Sequence, residues 1–119
     1  MAKWNIVPTP EYENDLSKYL KKKPAELRAV LANLQRLLEV LEVVDGPAQV
    51  SCRFFKSEGD GLFRISELGG GKSLQPTRLY LTCALKHQKL VLLRLLAKGP
   101  KKKQSQQIQN LKRTTTEKN

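Results

Sequence analysis

The apolar positions of the first 46 residues recur at helical spacing, and after Pro47 the period shortens to two. Tyr12, Leu16, Tyr19 and Leu20 mark a first helix, with Thr9 as its N-cap and Pro10 in the first helical position. The lysine run Lys21–Lys23 suits its last turn, where positive charge meets the free carbonyls. Pro24 opens a second helix, whose stripe Leu27, Val30, Leu31, Leu34, Leu37, Leu38 and Leu41 runs toward Asp45-Gly46-Pro47. Upstream, Trp4–Val7 is a short β-type run stopped by Pro8 and Pro10. Downstream, alternation predicts strands over Ala48–Phe55, Leu62–Leu68, Thr77–Leu85 and Leu90–Ala97. Turn-rich segments separate them: Ser57–Gly61, Gly69–Pro76 and the tight Lys86–Lys89 turn. A short, weak helix over Lys103–Arg113 ends the pattern.

This order, β-α-α-β-β-β-β-α, predicts an α+β fold in one domain over residues 1–113, with a polar tail at 114–119 that frays. Strands joined by short turns pair antiparallel, and the helical hairpin covers one face of their sheet. The other face is then expected to be open. Alternation sends Leu79, Leu81, Cys83 and Leu85 to the core, and Arg78, Tyr80, Thr82 and Ala84 to the open face. Arg94 and Lys98 share a face by the same parity, and Arg53 and Arg64 offer comparable positions on their own strands.

Charge sharpens that picture. Hydrophobic residues make up 39% and charged residues 28%, an ordinary globular balance. Residues 1–46 carry as many acidic as basic side chains, so the whole net charge of +11 resides beyond them. So lopsided a field attracts polyanions. No apolar run approaches a membrane-spanning helix, and no signal-peptide core is present, so a cytoplasmic protein is the simplest expectation. Cys52 and Cys83 stand without a CxxC or Cys/His cluster and read as small buried residues rather than metal ligands.

The chemistry on offer is narrow. No carboxylate pair, Ser/His/Asp set or metal-ligand spacing occurs, Glu67 is the only acid on the predicted strands, and His87 falls in a predicted turn. Gly69-Gly70-Gly71-Lys72-Ser73 resembles part of a phosphate-binding loop. However, Ser66 occupies the position of the required upstream glycine, and the run lies between hairpin strands, so it reads as a flexible loop. Arginine, lysine and tyrosine remain. Together they suit cleavage of RNA by its own 2′-hydroxyl, which needs positive charge on the phosphate and groups that move two protons, but no metal or other cofactor.

Gly61-Leu62-Phe63-Arg64-Ile65, the strand Arg78-Leu79-Tyr80, and Leu90–Lys98 followed by Lys101–Lys103 and Gln107-Ile108 resemble the RelE/HigB superfamily, and within it the phage-type HigB toxins. The resemblance covers nearly the whole chain. It implies a RelE-like fold, with helices on one face of the sheet and a basic RNA site on the other. It further implies the toxin of a type II toxin–antitoxin pair that cuts mRNA on the ribosome and is held by a cognate antitoxin. Carried over by position, Arg78 contacts the scissile phosphate, and Arg94, Lys98 and Tyr80 complete the catalytic set. Arg53, Arg64, Lys101, Lys102, Lys103 and Arg113 are the expected RNA-binding residues. Ser66 stands where the family has an arginine, and Lys102-Lys103-Gln104 replaces its Lys-Thr-Pro segment. Two alternatives stay open: a degenerate toxin that binds RNA or antitoxin without cutting, and a gyrase-directed toxin of the ParE branch.

Overall fold

A computed structural model describes residues 4–71 and 73–118. Its strands are β1 (Asn5–Pro8), β2 (Phe55–Gly59), β3 (Leu62–Ser66), β4 (Thr77–Ala84) and β5 (Lys89–Ala97). Its helices are α1 (Pro10–Lys22), α2 (Pro24–Leu41) and α3 (Lys101–Lys118). The strands form one mixed sheet in the order β1-β5-β4-β3-β2, parallel between β1 and β5 and antiparallel elsewhere. The fold is α+β.

Local chemistry explains the helical hairpin. Thr9 caps α1, its Oγ1 accepting the Tyr12 N–H at 3.3 Å while donating to the Leu92 carbonyl at 2.8 Å. One residue, Lys23, separates α1 from α2, and prolines open both helices. Leu27, Val30, Leu34, Leu37 and Leu41 of α2 pack with Tyr12 and Tyr19 of α1 on Leu79, Leu81, Cys83, Leu90, Leu92 and Leu95 of the sheet. Phe55 and Phe63 extend this core, their rings stacked 5.0 Å apart across the β2–β3 pair.

The strand expected over Ala48–Phe55 does not form. Pro47–Gln49 is a 3-10 turn, the chain is irregular to Phe54, and β2 begins at Phe55. The expected turn Ser57–Gly61 therefore shrinks to Asp60-Gly61, both at positive φ (55° and 81°), the conformation of a type I′ hairpin. As the edge strand, β2 exposes Lys56 and Ser57, which is why its pattern does not read as a strand. Leu85, expected in the core, lies in a 3-10 turn after β4 and is exposed.

The second face of the sheet is not wholly open. The terminal helix is longer than Lys103–Arg113: it starts directly after Pro100 and meets no glycine or proline that would end it. Its Leu111 is buried with Leu62, Tyr80 and Leu93, and Ile108 packs beside them with Val91 and Leu96. Tyr80, expected on the open face, is only 2% exposed as a result. A Lys112–Asp60 ion pair, 3.6 Å, joins α3 to the β2–β3 hairpin.

The glycine-rich segment is docked rather than free over its described part. A Cβ on Gly70 would lie 2.3 Å from the Ala29 Cβ of α2 and 3.1 Å from the Glu67 carbonyl oxygen, so only glycine permits this approach. Lys72 lies outside the described residues. Gly70→Ala is expected to destabilise the protein by about 1–3 kcal/mol, the usual scale of overpacking, in urea or thermal unfolding. A change within the surface range of about 0.5 kcal/mol would show that the loop does not rest on α2.

Candidate nucleic-acid interface

Three strand ends meet on the second face where α3 leaves it uncovered. Ser66 closes β3 and sits opposite Arg78 near the start of β4, which in turn sits opposite Leu96 near the end of β5. Lys56, Arg64 and Tyr80 form the next cross-strand row, so their side chains leave on the same face as that of Arg78. The result is a cleft of about 330 Å³ in which Arg53, Lys56, Arg64, Arg78 and Lys98 converge, together with Phe54, Ser66, Glu67 and Pro76.

Two carboxylates organise its rim. Glu67 Oε1 accepts the Thr77 N–H at 2.9 Å, holding the first residue of β4 next to Arg78. Glu58, which the displaced β2 brings onto a strand, takes Arg64 in an ion pair of 2.7 Å. Among the described residues, Arg53, Lys56, Arg78 and Lys98 make no ion pair, so the cleft keeps a strong positive field. Lys98 is fixed through its backbone, its N–H donating to the Pro76 carbonyl at 3.0 Å.

The helical hairpin anchors the chain entering this site. Fully buried Asn33 donates to the carbonyls of Ser66 (2.8 Å) and Leu68 (2.9 Å), and its Oδ1 accepts from the Arg36 guanidinium at 2.7 Å. Glu26 Oε2 accepts the Gln75 N–H at 2.9 Å, and that hydrogen bond pulls the Glu26 carboxyl below its ordinary range. Lys23 Nζ reaches Gln75 Oε1 at 2.9 Å. The approach to β4 is therefore tied to α2 through its backbone and to the α1–α2 junction through its side chain.

Of the expected site residues, Arg53, Arg64, Arg78 and Lys98 come together in the cleft. Arg94 and Tyr80 do not line it. Tyr80 lies beneath α3, its face occupied by apolar neighbours. Arg94 turns round the edge of β5 to Asp15 of α1, donating from Nε at 2.6 Å and Nη2 at 3.2 Å. The bond to Asp15 pushes the Arg94 guanidinium further up from its ordinary value, so it serves as the fixed countercharge of a carboxylate only 7% exposed. Lys103 and Arg113 are exposed on α3 away from the cleft lining, and the side chains of Lys101 and Lys102 lie outside the described residues. Lys56 and Arg36 were missed: Lys56 fell between the strand expected over Ala48–Phe55 and the turn expected from Ser57, and Arg36 belongs to the electrically neutral part of the chain.

Other groups have different roles. His87 is exposed in the 3-10 turn between β4 and β5. Both cysteines are free thiols, and burial pushes the Cys83 thiol up to about 12, which suppresses its thiolate. Among the described residues, no three His, Cys, Asp or Glu side chains gather as a metal site would need, and no helix is long and apolar enough to cross a membrane. The chain matches no family model, no curated protein and no solved structure.

Two outcomes test this architecture. The depressed Glu26 carboxyl contributes stability that is complete above its unfolded value, about 4.3. That contribution is lost as pH falls through the lower folded value. Glu26→Gln should therefore flatten the acid limb of a pH–stability curve without altering the limb above pH 7; an unchanged acid limb would remove Glu26 as an anchor. Arg94→Ala leaves Asp15 buried without its cation and should cost about 1–3 kcal/mol. Asp15→Asn/Arg94→Ala together should cost less than the sum of the single changes, as measured by a double-mutant unfolding cycle.

Proposed function

We propose that the chain is an RNA-directed toxin of the RelE/HigB type, acting on mRNA held by the ribosome and restrained by a cognate antitoxin. The observation that carries this proposal is the convergence of Arg53, Lys56, Arg64, Arg78 and Lys98 on one sheet-face cleft. Forked guanidinium donors suit phosphate oxygens, and several of them from different strands suit a backbone that runs across the sheet. The element order and the basic site opposite the helical hairpin also accord with the RelE-like expectation.

The reaction we assign is metal-independent cleavage. The ribose 2′-oxygen attacks the adjacent phosphorus, its proton passes to a base, the bond from phosphorus to the 5′-oxygen breaks, and an acid protonates that oxygen. A 2′,3′-cyclic phosphate and a free 5′-hydroxyl result. Arg78, flanked by Arg64, stabilises the extra negative charge of the pentavalent phosphorus. Lys56 and Lys98 are the cleft's candidate proton carriers, since Tyr80 is buried and Arg94 is held by Asp15.

A second reading, a binder that does not cut, gains support from the cleft's acids. Glu58 is paired with Arg64 and Glu67 Oε1 accepts the Thr77 N–H, so each carboxylate already holds a structural partner. Primer extension on a reporter mRNA, with ribosomes present, separates the two. The toxin proposal expects cuts in codon register that fall roughly 100-fold in rate in Arg78→Ala, the scale of one lost transition-state donor. RNA affinity in that variant should weaken without sequence preference, with the salt slope shallower by about 0.7. Growth arrest without cuts would sink the cutting proposal, and tight RNA binding without cuts would favour the binder.

A further inference from the structure

Beside the cleft lies a second recess of about 320 Å³, lined by Arg36, Arg53, Phe54, Leu68 and Gly69. Arg53, Phe54 and Leu68 line both hollows, so the two share a wall. Their chemistry differs. The cleft is built of cations, as a phosphate site requires. The recess instead gathers an aromatic residue and a leucine that is 45% exposed with two arginines. A phosphate gains nothing from Phe54 or Leu68. A flat, apolar-faced ring does, because it can stack on a phenyl group and against guanidinium planes.

The recess is held in shape. Phe54 is half-buried against the core, and its carbonyl accepts the Ser66 N–H at 2.9 Å, so its ring sits on a fixed stretch of backbone. The Arg36 guanidinium is aimed by the buried Asn33, the same amide that holds the Ser66 and Leu68 carbonyls. One fully buried side chain therefore fixes both the wall of the recess and its cation. Gly69, at φ +84°, passes with the nearest neighbour of any added Cβ being Arg36 Nη1 at 3.8 Å, so the loop leaves the guanidinium uncovered on that side.

We infer that this recess is a nucleobase subsite, in which an unstacked base of single-stranded RNA rests on Phe54 between Arg36 and Arg53 while adjacent phosphates occupy the cleft. The inference rests on the RNA-binding proposal and narrows it, since bases in a duplex are stacked on one another and cannot enter. It also enlists Arg36, from a part of the chain whose charges otherwise cancel.

The test compares three probes by fluorescence anisotropy on the intact protein: a short single-stranded RNA, the same strand with abasic riboses, and the RNA duplex of that sequence. The native strand should bind roughly tenfold more tightly than the abasic strand, the scale of one stacked base, and more tightly than the duplex. Phe54→Leu should abolish the native-to-abasic ratio, and Phe54→Tyr should keep it. Salt slopes should be equal in all three proteins, since no charge is removed. Thermal unfolding of each variant verifies that it is folded, and the wild-type comparison of strands needs no variant at all. Equal binding of native and abasic strands, or a ratio that survives in folded Phe54→Leu, overturns the base subsite while leaving backbone binding intact. Failure of every probe to bind overturns both.

Discussion

β5 is apolar on both of its faces, and the rest of the molecule is arranged to keep both dry. Leu90, Leu92 and Leu95 face the helical hairpin, while Val91, Leu93 and Leu96 face the other way. One layer of helices cannot cover both sets, so the chain needs α3 on the second face, and Leu111 with Ile108 supplies that cover. Yet α3 buries only the half of the face marked by Leu62, Tyr80 and Leu93. The half it leaves is where Arg64, Arg78 and Lys98 emerge, side chains that carry their own solvation and need no apolar lid.

The same strand explains the fate of Arg94. β1 ends at Pro8, opposite Leu92, so the following residues of β5 have no strand on that side. Side chains of the α1 segment take over: Thr9 Oγ1 donates to the Leu92 carbonyl and Asp15 Oδ2 accepts the Leu95 N–H at 3.0 Å. A buried carboxylate doing this work needs a cation close by, and Arg94 is the neighbour that can reach it. An arginine that alternation assigns to a binding face is thereby claimed by the sheet edge.

The helical hairpin and the two central strands were legible in the sequence because their patterns are long and their ends carry strong signals: Pro10 and Pro24, and the repeated leucines of β4 and β5. β2 was not, since an exposed edge strand bearing Lys56, Ser57 and Glu58 has no apolar face to reveal it. The Asp60-Gly61 pair held the missing information, as a two-residue hairpin signal that fixes where β2 must stop. The covered second face was also written in Leu90–Leu96, where apolar residues fill both parities with Arg94 the one interruption, the kind of run that marks burial on both sides. For the site, alternation was enough to bring Arg64 and Arg78 together; Arg53 reaches the cleft from the turn before β2, not from the strand expected to carry it, and Lys98 from just past the end of β5. The contacts that removed Arg94 and added Arg36 join residues on different elements, Asp15 to Arg94 and Asn33 to the Ser66–Leu68 segment, and no local pattern carries them.

The parallel pairing of β1 with β5 has a consequence for how the chain comes to life. β1 leaves the ribosome first, but its partner, Lys89–Leu92, comes some eighty residues later, as the separation of Asn5 from Lys89 shows. The sheet therefore cannot close until β5 has been made, and such distant pairing makes closure one of the slower folding steps. The cleft likewise draws on residues from Arg53 to Lys98, so no fragment of the nascent chain holds a finished one. The basic cleft is thus incomplete until Lys98 has been made and β4 and β5 have paired, however early Arg53 and Arg64 emerge.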